Sequence, residues 1–184
     1  DDCFEAYGDL ERNVRALRER GIAVLAVAGN HDAKVLPRLI RRVEGVELLG
    51  ADATWELRAL EDDGPPVDLL AWSFKTSHHS DSPLDAPGLE EAIGGRRSGA
   101  RLLGVLHGDL DAGTSRYAPV SRRRLEDLSL DACFLGHVHQ PCALSEMERP
   151  LGYLGSLVGL KPTEAGPRGP WRVEVPATGP IRPR

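Results

Sequence analysis

The chain has 184 residues, and this length fits a single domain with its own hydrophobic core. Its formal net charge of −5 excludes a broadly basic surface of the kind that coats nucleic acid, although a local basic groove stays compatible with it. No apolar run is long enough to span a bilayer, so we expect no membrane contact. The 3 cysteines have no paired spacing, which favours a reducing, cytoplasmic location over a disulfide framework.

The chain begins with a predicted helix, a predicted buried strand and a polar corner. Apolar residues at helical spacing predict a helix over 4–20. The apolar run over 22–28 is rich in Val, Ile and Leu, which predicts a strand buried on both faces. Gly29 ends this run, and in open α/β sheets ligands bind just beyond the carboxyl ends of strands. Three polar residues follow directly: Asn30, His31 and Asp32.

The next part of the chain predicts a short helix and then the strands of a second sheet. The helix is expected over 34–44, where apolar residues recur at helical spacing. Alternation predicts a half-exposed strand over 54–60, and an apolar run predicts a more buried strand over 67–74. Together with a short strand over 46–49, these strands are expected to form a second sheet, with a turn over 61–66.

Two later apolar runs also end in histidine. The run over 102–106 is followed by His107, and the run over 132–135 is followed, after one glycine, by His137 and His139. In an extended segment these last two side chains project to the same side, while the valine between them points into the core. Three strand ends with ligand-type residues predict one shared site at the edge of the sheet.

Four other residues of ligand type are explained without a metal. His78 and His79 lie in a polar loop and are expected to be surface residues. Asp109 and Asp111 follow His107, where turn chemistry accounts for both of them.

The last third of the chain predicts short elements and a tail. Ser121 is expected to cap a helix that reaches Leu128. A hairpin is expected between 142–147 and 151–157, and alternation predicts a strand over 171–175. The domain is therefore expected over 1–175, and the remaining residues, 176–184, are expected to form a frayed tail.

The three histidine-bearing motifs resemble the last three motifs of the calcineurin-like metallophosphoesterases. The stretches that carry the resemblance are Val27–Asp32, Leu106–Asp109, Gly136–His139 and Tyr153–Ser156. Their surroundings resemble the branch that holds bacterial DNA-repair exonuclease subunits, and the resemblance spans roughly residues 4–175. It implies a four-layer α/β/β/α sandwich with two mixed sheets.

The resemblance also implies roles for six residues. Asn30, His107 and His137 match ligands of one metal ion, and His139 matches a ligand of a second. His31 matches the histidine that faces the substrate phosphate and protonates the leaving group, and Asp32 matches the carboxylate that orients it. Nitrogen and oxygen donors of this kind suit manganese, with iron or zinc as alternatives.

Two earlier motifs of the family have no match in this chain. The family uses an Asp-x-His pair and a Gly-Asp segment whose aspartate bridges the metals, and no Asp-x-His occurs here. Gly8-Asp9 imitates the second motif, but no apolar strand precedes it. Asp9 is instead expected at the start of the apolar stripe of the first helix, where an acidic residue near the N-terminal end is favourable for electrostatic reasons. We therefore expect a chain that lacks the family's first strand and has weak activity.

Metal-dependent hydrolysis of phosphodiesters is the leading hypothesis for the function, with DNA as the first choice of substrate. A phosphodiesterase of a small nucleotide is the alternative within the family. A non-catalytic member of the family that only binds metal is the alternative from another functional class. Such a protein would not require His31 and Asp32, because neither is expected to be a metal ligand. A complete protein with a single metal ion is the last alternative.

Overall fold

The computed structural model describes residues 2–60 and 63–184 of the chain. The helices are α1 (Asp2–Arg18), α2 (Leu36–Ile40), α3 (Leu89–Gly94) and α4 (Arg122–Asp127), with 3-10 turns at Ala51–Ala53, Pro83–Asp85 and Leu144–Glu146. The strands are β1 (Val24–Ala26), β2 (Val46–Leu48), β3 (Trp55–Leu60), β4 (Val67–Trp72), β5 (Arg101–His107), β6 (Asp109–Leu110), β7 (Pro119–Val120), β8 (Ala132–Gly136), β9 (Leu151–Tyr153), β10 (Val173–Glu174) and β11 (Arg182–Pro183). No helix in the described ranges combines the length and apolar character needed to cross a bilayer.

The central sheet is mixed and has five strands in the order β3-β4-β5-β8-β9. β3 runs antiparallel to β4, whereas β4, β5, β8 and β9 run parallel to one another. Because β5 and β8 are parallel, both end at the same edge of the sheet. His107 and Gly136 are register partners at this edge. The predicted mixed α/β class is confirmed.

A second, two-stranded sheet consists of β1 and β2, which run parallel. The strands over 54–60 and 67–74 were expected in a second sheet, and this prediction is wrong because β3 and β4 belong to the central sheet with β5 and β8. The strand over 46–49 was expected to join them, and this prediction is wrong because β2 pairs with β1 instead.

The buried side chain of Ser73 joins the two sheets just beyond the end of β4. Its Oγ accepts a hydrogen bond from the Ala28 N–H at 2.9 Å and donates one to the Leu49 carbonyl at 2.5 Å. The backbone adds a bond from the Phe74 N–H to the Ala28 carbonyl at 2.9 Å. The ends of β1 and β2 are therefore fixed against the end of β4, and the corner after β1 lies at the same edge as His107.

The hydrophobic core lies on both faces of the five-stranded sheet. On one face Trp72, Leu102 and Leu106 pack beneath α3 and α4. On the other face Leu103 and Phe134 pack against the C-terminal segment. Alternating side chains of one strand thus contribute to opposite faces, as the pleat of a strand requires.

Two predictions for the C-terminal part are wrong. The expected hairpin is absent from the described residues, because β9 runs parallel to β8 and a 3-10 turn with the fully buried Leu144 lies in the connection. The expected frayed tail contains β11, which pairs antiparallel with β10, and Ile181 is only 4% exposed. The tail is ordered because Ile181 covers the second face of the sheet.

The predicted and observed helices of the N-terminal part differ in their bounds. α1 covers Asp2–Arg18, close to the predicted helix over 4–20, and Asp9 lies in its middle, where it forms an exposed ion pair with Arg12. The helix expected over 34–44 is reduced to α2, with a turn before it. The turn predicted over 61–66 begins at Glu61 and Asp62, which lie outside the described residues.

Replacing Ser73 with alanine should lower the free energy of unfolding by about 1–3 kcal/mol. The substitution leaves the Ala28 N–H and the Leu49 carbonyl without this partner, and Ala28 is 0% exposed, so water does not replace the lost bond. Urea denaturation followed by circular dichroism measures the change.

The matched control is Ser98→Ala, because Ser98 is exposed. We expect this control to change the free energy of unfolding by less than about 0.5 kcal/mol. Equal stability of the two variants would show that the Ser73 hydroxyl does not hold the sheets together.

Candidate metal centre

Three of the predicted ligand residues meet at the edge of the sheet. Nε2 of His107 lies 2.9 Å from Oδ1 of Asn30 and 3.2 Å from Nδ1 of His137. These residues follow β1, end β5 and follow β8, and Asn30 and His107 are 77 positions apart in the chain. The predicted convergence of these three residues is confirmed by their distances.

The spacing of the three atoms suits a single metal ion. Ligand atoms about 2.1 Å from one ion, at angles between octahedral and tetrahedral, lie about 3.0–3.4 Å from each other. The distance from His107 to His137, 3.2 Å, lies in this range, and the distance to Asn30, 2.9 Å, lies just below it. Within the described residues, no three His, Cys, Asp or Glu side chains form a metal-binding group by themselves, so the three-atom set depends on the amide oxygen of Asn30.

Two glycines determine where the His107 ring can lie. A Cβ built on Gly29 would stand 2.7 Å from Nδ1 of His107, and one built on Gly136 would stand 2.8 Å from the same atom. Neither glycine has a left-handed backbone, so the space occupied by the ring is what requires glycine here. The ring is held between the two backbones, and the edge of Phe74 contacts it at a centroid distance of 5.6 Å.

The half-buried position of His107 favours a neutral ring. Burial, followed by the nearby His137, lowers the pKa of His107 from 6.5 to about 4. At neutral pH one ring nitrogen of His107 therefore carries a lone pair, which is the state that binds a metal ion.

The backbone at His137 is strained, and its ring faces a carboxylate on the far side. The φ angle of His137 is 105°, a conformation that non-glycine residues rarely adopt and that clusters at functional sites. The segment is therefore not extended at His137, which overturns the premise that His137 and His139 project to the same side. Nε2 of His137 lies 3.6 Å from Oδ1 of Asp109, and Ser115 donates a hydrogen bond to the other oxygen of Asp109 at 2.5 Å.

His31 and Asp32 lie on the turn that follows β1. His31 is exposed beside Asn30. The Asp32 carboxylate accepts a hydrogen bond from the Gly29 N–H at 3.1 Å and so closes the turn around Asn30. The described part of the chain contains no hydrogen bond between Asp32 and the His31 ring, so the orienting role of Asp32 stays a prediction.

The His139 ring contacts a loop in the C-terminal part of the chain. Its Nδ1 lies 2.9 Å from Oε1 of Glu164, which also accepts a hydrogen bond from the Leu160 N–H through its other oxygen. The Leu160 N–H and the His139 ring hold the pKa of Glu164 below its usual range. Arg168 donates hydrogen bonds to the His139 carbonyl and to Oγ of Ser156, so it closes this loop onto His139. The role of His139 in a second metal site stays a prediction.

Several neighbours of the site were not predicted as such. Asp109 contacts His137, which turn chemistry does not account for. Asp111 accepts a hydrogen bond from the Arg122 N–H, 11 positions away at the start of α4, so this bond is not a local turn bond either. Glu164 lies in a loop without periodic pattern, so the sequence offers no signal for it. His78 is exposed as predicted, but His79 is not, since its ring packs 4.9 Å from that of Trp72.

Comparison with known proteins gives no relative for this chain. No family model matches the sequence, and no curated protein matches it. The three donor atoms and their surroundings therefore carry the interpretation of the site.

Replacing Gly29 or Gly136 with alanine should weaken manganese binding by about 10–100-fold, the loss typical when a partner that orients a ligand is changed. The new methyl group would stand closer to the His107 ring than van der Waals contact allows, so the ring must shift. Calorimetric titration with Mn²⁺ measures the affinity.

Gly94→Ala serves as the matched control, because a Cβ at this position meets nothing within 4 Å. It should leave the manganese affinity unchanged. If Gly29→Ala and Gly136→Ala bind manganese as tightly as Gly94→Ala, His107 is not held in place by the two glycines.

In the metal-free protein, the free energy of unfolding should fall as the pH drops from about 6.5 toward 4. The unfolded chain protonates His107 near 6.5, but the folded chain protonates it only near 4, so the unfolded state binds more protons in this window. One such group contributes a slope of at most about 1.4 kcal/mol per pH unit. Urea denaturation at several pH values, in the presence of a chelator, measures this slope.

His107→Gln should lack this contribution, while His78→Gln, at an exposed position, should retain it. A slope in His107→Gln that equals the slope of the natural chain would mean that His107 titrates alike in the folded and unfolded states.

Proposed function

We propose that this chain belongs to a metal-dependent phosphodiesterase. The observation that carries the proposal is the meeting of Asn30, His107 and His137, whose donor atoms are spaced as ligands of one ion. Packing alone does not require an amide oxygen and two imidazole nitrogens to face each other at three strand ends. The motif resemblance to calcineurin-like metallophosphoesterases supports the same function, and the four-layer sandwich of that family is part of the proposal.

The donor set suits manganese, iron or zinc, and manganese is our first choice. A bound ion of this kind polarises a phosphoryl oxygen and lowers the pKa of a coordinated water, which together make phosphate-ester hydrolysis possible at neutral pH. His139 is proposed as a ligand of a second ion. In that case Glu164 would orient the His139 ring through Nδ1 and leave Nε2 for the ion.

His31 and Asp32 are proposed as the catalytic residues. His31 is exposed directly after the ligand Asn30, so its ring can reach a phosphodiester bound at the centre and give a proton to the leaving oxygen. Asp32 fixes the turn through the Gly29 N–H, and this bond keeps His31 and Asn30 in one rigid corner.

Phosphodiesters are the proposed substrate class, with DNA as the first choice and a small nucleotide as the alternative. A metal-binding protein without catalysis is the candidate from another class. His31 discriminates between them, because a purely structural metal site would not require an imidazole beside the ligand set. A cytoplasmic location is part of the proposal and follows from the cysteine usage of the sequence alone.

The manganese-loaded chain should hydrolyse bis(p-nitrophenyl) phosphate, and His31→Asn should slow this reaction by about 10²–10⁴-fold without loss of manganese. His137→Ala and Asn30→Ala should lose manganese as well as activity, because each removes one donor atom from the set. Release of p-nitrophenol measures turnover, and calorimetry measures manganese affinity.

Asn13→Ala is the matched control for Asn30→Ala, because Asn13 is exposed on α1. It should retain both manganese and activity. Manganese binding without turnover, in the natural chain and in His31→Asn alike, would favour the non-catalytic metal-binding protein. Equal manganese affinity of Asn30→Ala and the natural chain would contradict the proposed ligand set.

A further inference from the structure

Two aromatic rings extend from the candidate metal centre to the surface. The Tyr117 ring lies 5.1 Å from the ring of His137, centroid to centroid. The ring of His78 stacks on Tyr117 at 5.6 Å, with an angle of 26° between the planes. His78 is exposed and Tyr117 is half-buried, so the stacked pair borders the centre on its solvent side. We call this pair the aromatic platform.

The backbone fixes the aromatic platform. The His79 N–H donates to the Arg116 carbonyl at 2.9 Å, and the Ala118 N–H donates to the His79 carbonyl at 2.7 Å. These bonds join the loop after β4 to the segment before β7, and they place His78 over Tyr117. Ser77 Oγ lies 3.1 Å from Nδ1 of His78, which restrains the ring further.

The two neighbouring histidines of this loop have different surroundings. His79 packs inward against Trp72, with 4.9 Å between ring centroids, so it contributes to the core. His78 contacts Tyr117 and is otherwise exposed to solvent. The core therefore explains His79, but it leaves unexplained why an aromatic ring is held outside beside the centre.

We propose that the aromatic platform is a stacking site for a nucleobase next to the phosphodiester bound at the metal centre. The inference deepens the proposed function and rests on it. Aromatic and histidine rings bind unstacked bases through their π faces, and they do so with little sequence preference. A platform restrained before binding loses little conformational entropy when a base stacks on it.

The test compares two dinucleotides by calorimetry in the presence of manganese: d(ApA) and the same backbone with tetrahydrofuran in place of both bases. Both carry a methylene group in place of the leaving oxygen, so that the chain cannot hydrolyse them during the measurement. The natural chain should bind d(ApA) about tenfold more tightly, the effect of one base stacked on one aromatic ring. His78→Ala should abolish this preference because His78 carries the exposed face of the stacked pair, Tyr117→Leu should reduce it, and Tyr117→Phe should keep it.

A second pair of probes identifies the source of the base. Adenosine 5′-monophosphate and ribose 5-phosphate differ only by the base. A tenfold preference for the nucleotide supports stacking of a free nucleotide, whereas a preference confined to the dinucleotides supports stacking of a strand.

Tyr7→Leu is the matched control, because Tyr7 lies on α1 and its hydroxyl donates to the Arg42 carbonyl. It should keep the preference for d(ApA). Tyr117 also packs against the core, so its leucine variant is checked by thermal unfolding, and His78→Ala provides an independent test at an exposed position.

Equal binding of the two dinucleotides by the natural chain would overturn the inference, and so would undetectable binding of both. A preference that survives in both Tyr117→Leu and His78→Ala would overturn it as well. Failure of the phosphodiesterase assay is a separate result: a base preference without hydrolysis removes the proposed function, whereas hydrolysis without a base preference removes only the aromatic platform.

Discussion

The site depends on one buried hydroxyl that joins two sheets. β1 and β2 form a sheet of their own, and the side chain of Ser73 binds the ends of both strands just after β4. Together with the backbone bond from the Phe74 N–H to the Ala28 carbonyl, this link fixes the corner that carries Asn30 relative to the central sheet. A hydroxyl serves here because it accepts from one strand end and donates to the other, which a single apolar side chain does not do.

Small residues at the same edge allow the donor atoms to approach each other. Gly29 and Gly136 lie on either side of the His107 ring, and any larger side chain at either position would overlap it. Glycine is thus required before each polar motif because the His107 ring occupies the space of a side chain there. The strained backbone of the site is at His137, where φ is positive. Strain at a donor residue is compatible with function when the surrounding structure determines its position.

Site residues at the ends of buried strands were predictable from the sequence, whereas site residues on loops were not. The apolar runs that became β5 and β8 were recognisable, and the parallel pairing of strands brought their histidines together. The parallel course of β9 was not recognisable, because a short connection with Pro150 also suits a hairpin. Glu164 and Tyr117 reach the site from loops, where no periodicity relates a residue to its neighbours in space.

The positions that hydrogens can occupy in the site bear on the proposal of a bound cation. His107 is neutral, so Nε2 carries at most one hydrogen, and it faces both the Asn30 oxygen and the Nδ1 of His137. The Asp109 carboxylate lies 3.6 Å from Nε2 of His137, so the ring edge that bears Nδ1 faces the other two donor atoms. A single hydrogen cannot make two good bonds at once, since hydrogen bonds weaken steeply away from linearity. A cation in place of that hydrogen could accept lone pairs from more than one of these atoms, which is the physical argument behind the proposal that they form a ligand set.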